Sequence, residues 1–89
     1  MVCLQPSQVH GQVDTNDAAM AAYADAANFQ TGGAINLAID GWQSFLAKYP
    51  KHAMAADAAH YLGVCYMQKE TPDYVAAAKA FGKALQKSK

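Results

Sequence analysis

The chain has 89 residues, enough for one small domain whose core is marginal, because a chain this short buries only about 60–65% of its unfolded surface. Seven lysines and no arginine face seven carboxylates, giving zero net charge, so recognition of phosphate or nucleic acid by a basic patch or a guanidinium fork is disfavoured. The chain is over half apolar and rich in alanine, which favours helices, and no apolar run approaches the roughly 18 residues that a membrane span needs.

Residues 1–13 are expected outside the fold. Met1 to Leu4 is a short apolar piece, followed by Gln5-Pro6-Ser7-Gln8 and Val9-His10-Gly11-Gln12. This stretch reads either as the end of a secretory signal cleaved before Gln12, without its basic and apolar regions, or as a frayed terminus. No lipoprotein pattern precedes Cys3, which argues against a lipid anchor. Cys3 and Cys65 have no metal or redox spacing. Cys65 falls in the apolar periodicity of a helix and reads as a small buried hydrophobe, with a Cys3–Cys65 disulfide as the lesser alternative.

The folded part is expected over residues 14–89, as four helices. The first starts near Asp14-Thr15-Asn16-Asp17, where Asp14 caps, and runs to about Gln30, stopping at Thr31-Gly32-Gly33. The second, Ala34 to Lys48, is clearly amphipathic: Ile35, Ala38, Ile39, Trp42, Phe45, Leu46 and Tyr49 recur at three- and four-residue steps. Gly41 inside it costs about 1 kcal/mol against alanine, which a close helix approach explains. Pro50 ends this helix.

The third helix runs from His52 or Ala53 to Lys69. One side carries Met54, Ala58, Tyr61, Leu62, Cys65 and Tyr66, and a second stripe carries Asp57, His60, Val64 and Met67. The fourth is expected to use Thr71 as cap, Pro72 as first helical residue and Asp73 in the first turn. Its inner face is Tyr74, Ala77, Ala78, Phe81, Ala84 and Leu85, and Lys79, Lys83 and Lys87 form a solvated stripe.

The chain repeats itself. At one constant offset Ile35 matches Tyr74, Ala38 matches Ala77, Ile39 matches Ala78, Trp42 matches Phe81 and Leu46 matches Leu85. The first and third helices match at a slightly shorter offset: Tyr23 with His60, Ala26 with Gly63, Phe29 with Tyr66. Two copies of a helical hairpin, about residues 14–50 and 51–89, are therefore expected. A helical period of about 34 to 40 residues is the mark of a solenoid.

Leu62-Gly63 with Tyr66, then Tyr74, Ala77, Phe81 and Ala84, resembles the tetratricopeptide repeat (TPR) pattern, and Phe29, Gly33, Ala38, Trp42 and Pro50 fit it in the first copy. The run from Trp42 to Pro50 leading into Ala55–Gly63 resembles the repeats of bacterial cell-envelope TPR proteins of the BamD/CpoB type. The resemblance covers residues 17–88. It departs at Ala59, where an aromatic is expected, and at Asp25, where leucine is common, so the first hairpin is expected to be the looser one. It implies an all-α protein of two antiparallel helical hairpins stacked as a TPR-like α-solenoid, without catalytic activity or cofactor. It also implies a protein or peptide partner and a periplasmic or cell-envelope location ahead of a cytoplasmic one. The concave groove it implies is lined by Met20, Tyr23, Ala27 and Gln30 from the first helix and by Asp57, His60, Val64 and Met67 from the third. Family members that clamp a peptide carboxylate do so with Lys, Arg and Asn at these positions. This chain has none of them there.

Two rival readings follow from the residues. His52, Asp57 and His60 could form a metal or acid–base site, since Asp57 and His60 are one turn apart, but no His-Glu-x-x-His signature supports them. Alternatively the two hairpins are structural, as the first segment of a longer solenoid or as a self-associating unit with an uncovered outer face.

Overall fold

Proline, glycine and short polar caps divide the chain into helices. The computed structural model describes the backbone of residues 4–88 and the side chains of residues 16–88. Among the described residues there are four helices and no strand: α1 Leu4–Thr31, α2 Ile35–Lys48, α3 Ala55–Gln68 and α4 Tyr74–Lys87.

α1 begins at Leu4, well before the expected cap at Asp14. The only strong helix breakers upstream of Asp14 are Pro6 and Gly11. Pro6 falls in the first turn, where no intrahelical bond needs its missing N–H. One glycine costs about 1 kcal/mol, too little to stop a nucleated helix. Residues 4–13 therefore belong to α1, while Met1, Val2 and Cys3, and with Cys3 the disulfide alternative, lie outside the described residues.

α1 ends as its glycines require. Gly33 adopts φ +87°, its N–H donates to Gln30 O at 3.1 Å, and the Ala34 N–H reaches back to Phe29 O at 2.8 Å. This pair of bonds is a Schellman motif, open to glycine because only glycine reaches that φ without strain. α3 starts at Ala55, later than expected, because His52 caps the turn before it. The Met54 N–H donates to His52 Nδ1 at 3.0 Å, so Nε2 carries the ring proton and donates to Asn16 Oδ1 on α1 at 2.9 Å. At α4 the cap is Asp73 rather than Thr71: its Oδ1 accepts the Ala76 N–H at 3.0 Å. The helix thus starts two residues later than expected, with Tyr74 as its first residue. The Asp73 N–H donates to Tyr66 O at 3.0 Å and ties this start to the end of α3.

The helices pair as two antiparallel hairpins, α1 with α2 and α3 with α4, and α2 packs on α3 between them. Small residues set the spacing. A Cβ built on Gly41 would stand 2.9 Å from Ala26 Cβ and 3.2 Å from its Cα, and one built on Gly63 would meet the Phe81 ring at 2.6 Å. Polar bonds cross between the hairpins: Gln43 Nε2 donates to Tyr66 Oη at 2.7 Å, and Lys87 Nζ to Pro50 O at 2.9 Å.

The core follows the periodicity of α2. Ala38, Ile39, Trp42 and Phe45 are buried, joined by Ala19 and Ala26 of α1 and Ala55, Ala58, Leu62 and Cys65 of α3. The two largest fully buried side chains, Trp42 and Phe45, both belong to α2, and Asp25 of α1 is exposed. The inner face of α4 also needs correction. Ala77 and Ala80 are buried and Phe81 and Ala84 half-buried, whereas Tyr74, Ala78 and Leu85 are exposed. Gly63 makes room for the Phe81 ring, and Ala77 and Ala80 are the α4 residues that are fully buried. Among the described residues no helix is long and apolar enough to cross a membrane.

The glycines predict opposite signs for one substitution. Gly41→Ala gains about 1 kcal/mol of helix propensity but forces two backbones apart, and overpacking costs about 1–3 kcal/mol, so its urea midpoint falls. Gly82→Ala meets nothing within 4 Å and its midpoint rises by the equivalent of about 1 kcal/mol in dilute solution.

Candidate functional site

One cleft opens between α1 and α3, the first helix of each hairpin. α1 contributes Tyr23, Ala27, Gln30 and Thr31, α3 contributes Tyr61 and Gln68, and the buried Trp42 of α2 closes the floor of a cleft of about 470 Å³. The rings are locked together. Tyr23 meets Trp42 edge-on at 4.8 Å between centroids, Tyr61 stacks on Trp42 at 5.5 Å with 24° between planes, and Tyr23 and Tyr61 meet edge-on at 6.5 Å. Such pairs contribute about 0.5–1.5 kcal/mol each beyond their buried area, so the walls are preorganised.

One end of the cleft is an amide relay. Trp42 Nε1 donates to Gln30 Oε1 at 2.9 Å, and Gln30 Nε2 donates to Gln68 Oε1 at 3.2 Å. Gln30 thus satisfies the indole of a fully buried tryptophan while holding its neighbour on α3. No charged side chain lines this cleft. Burial, then the nearby Tyr61 and the Asp57 carboxylate, push the Tyr23 hydroxyl above its ordinary pKa.

A second cleft, of about 450 Å³, opens between α3 and α4 and is lined by Asp57 and His60 with Ala56, Phe81, Ala84, Leu85 and Ser88. His60 lies against Phe81 at 5.5 Å, in the place Tyr23 takes against Trp42 in the first hairpin. A third, of about 380 Å³, lies on the other face between Leu46, Leu62 and Ala80, with Lys79 and Lys83 at its rim.

The structure thus divides the eight residues expected in the groove. Tyr23, Ala27 and Gln30 line the first cleft and Asp57 and His60 the second, while Met20 and Met67 are exposed and Val64 half-buried, lining neither. Tyr61, Gln68, Thr31 and Trp42 complete the first cleft unforeseen. The signal for two of them was present, because Asp57, Tyr61, Val64 and Gln68 fall on one face of α3 at three- and four-residue steps.

The rival metal site does not assemble. Both ring nitrogens of His52 are engaged, with Asn16 and Met54, and its ring lies against Phe45 at 5.7 Å. Asp57 and His60 line a cleft that His52 does not reach. Among the described residues no three His, Cys, Asp or Glu side chains gather to hold a metal. Cys65 is fully buried, and burial pushes its thiol up to about 11, with a smaller opposing influence from the Trp42 side chain.

Comparison with protein-family models, curated proteins and solved structures finds no match.

Two measurements test this geometry. Gln30→Leu leaves the Trp42 indole unpaired inside the core and lowers unfolding free energy by about 1–3 kcal/mol, whereas Gln68→Ala, on the exposed side of the relay, changes it by less than about 0.5 kcal/mol. The Cys65 thiol keeps its proton in the folded chain where the unfolded chain loses it. Its stabilisation is therefore complete below about pH 9 and lost as pH rises toward 11. Urea midpoints across that window fall more steeply in the wild type than in Cys65→Ala.

Proposed function

We infer that this protein is a non-catalytic, TPR-like interaction module that presents its concave helical face to a peptide or protein. The observation that carries this reading is the aromatic cleft of Tyr23 and Tyr61 over Trp42, rigid, partly exposed and edged by the Gln30–Gln68 amides. Preformed apolar walls with a few placed hydrogen-bonding groups favour binding, because little conformational entropy is lost on docking.

The chemistry of the cleft narrows the partner. With no charge lining it and Asp57 nearby, it suits a neutral or basic segment with an apolar side chain rather than a terminal carboxylate. The exposed Met20 and Met67 add adaptable apolar contacts beside it. The resemblance of residues 42–63 to cell-envelope repeats extends the proposal to a component of the bacterial envelope.

Selection from a random peptide display library tests the reading. Enriched peptides should carry aliphatic or aromatic residues without acidic C-terminal preference, and should shift the amide resonances of Tyr23, Tyr61 and Gln68. Tyr61→Ala should weaken them at least ~10-fold with helicity unchanged, as loss of an aromatic anchor does. Peptides that ignore Tyr61→Ala, or a library yielding no binder, would overturn the proposal.

A further inference from the structure

α2 and α4 both pack on α3, and a trough of about 380 Å³ remains between them. Its floor is α3, through Ala59, Leu62 and Tyr66, and described helices form both walls: Leu46 and Ala47 of α2, Ala76 and Ala80 of α4. Alanine at three of these wall positions leaves the space that longer side chains would fill. The trough shares no lining residue with the Tyr23–Tyr61 cleft.

The charge around this trough has one sign. Lys79 and Lys83, one turn apart on α4, stand exposed at its rim, and no carboxylate lines it. Tyr66 adds a donor: its Oη accepts from Gln43 Nε2 at 2.7 Å, and an accepting hydroxyl still has its own proton to give. The two cations are not a consequence of the repeat. At the offset that matches Trp42 with Phe81, Lys79 corresponds to Asp40 and Lys83 to Ser44. Lys87, one turn further along α4, instead donates to Pro50 O at 2.9 Å.

We propose that this trough docks a short acidic segment of a partner protein, with an aliphatic or aromatic side chain on Leu62 and Ala80 and carboxylates toward Lys79, Lys83 and the Tyr66 hydroxyl. Charge complementarity identifies the occupant. An apolar side chain gains by leaving water, and flanking carboxylates turn two solvated ammonium groups into contacts that orient the segment. A basic segment meets like charge here, whereas the Tyr23–Tyr61 cleft, near Asp57, suits one. The two clefts therefore select opposite partners, and the inference does not rest on the peptide-binding reading of the first. The trough is open to solvent, which favours a peptide over a lipid, because an acyl chain laid in it would keep one side in water.

The probes are short end-blocked peptides with a central leucine or phenylalanine, flanked by glutamate, by glutamine or by lysine. Titrated into the full chain, the glutamate series should bind saturably and shift the amide resonances of Leu62, Ala80 and Lys83 rather than those of Tyr61 and Gln68. The glutamine series should bind at least ~5-fold more weakly, and added salt should close that gap. Two variants change only exposed positions: Lys79→Gln combined with Lys83→Gln removes the cations, and Ala47→Glu sets a carboxylate on the opposite wall. Each should keep its helicity and weaken the glutamate peptides at least ~5-fold. Equal binding of the glutamate and glutamine series would overturn the proposal, as would shifts confined to Tyr61 and Gln68, or an affinity unchanged in either variant. So would the absence of saturable binding up to about 1 mM, or laurate shifting the trough resonances where no peptide does, which assigns the trough to a lipid.

Discussion

The Trp42 side chain is the joint on which the structure depends. It is wholly buried on α2, yet it touches both first helices: Tyr23 of α1 at its edge, Tyr61 of α3 on its face, and Gln30 of α1 through its indole N–H. A buried indole needs an acceptor, and here that acceptor lies on α1 and in turn holds Gln68 of α3. One side chain thus fixes the two hairpins against each other and shapes the floor of the cleft between α1 and α3. Folding and site geometry are the same interaction seen from opposite sides.

Around this joint the chain uses small residues to bring helices close and large ones to fill the layers between. Ala26 against Gly41 and Gly63 against Phe81 are hairpin contacts with no spare volume. They explain why glycines persist inside helices where alanine has the better intrinsic propensity. A ridge of Ala77, Ala80 and Ala84 packs on α3, and its larger neighbours Tyr74 and Leu85 are displaced outward.

The two hairpins share one pattern but differ in chemistry. Tyr23 on Trp42 becomes His60 on Phe81, so the first cleft is neutral and aromatic while the second contains an imidazole and a carboxylate. The outer faces differ as well: α1 presents Asp25 and Asn28 to water, α4 presents an apolar stripe. Repetition of the backbone thus comes with divergence of the side chains it displays.

The sequence by itself determined the helices and their pairing. Three- and four-residue periodicity marked the buried face of α2 from Ala38 to Phe45, Gly32-Gly33 and Pro50 marked helix ends, and the constant offset from Trp42 to Phe81 marked the repeat. These are local or periodic signals, which a single chain carries in full. Only the tertiary structure decided that His52 is a cap tied to Asn16. Likewise it decided that Tyr61 and Gln68 share a cleft with Tyr23, and that Tyr74 and Leu85 face out. Each of these depends on which neighbour a side chain meets across space. Periodicity places a residue on a flank of its helix, but packing alone selects which flank another helix covers.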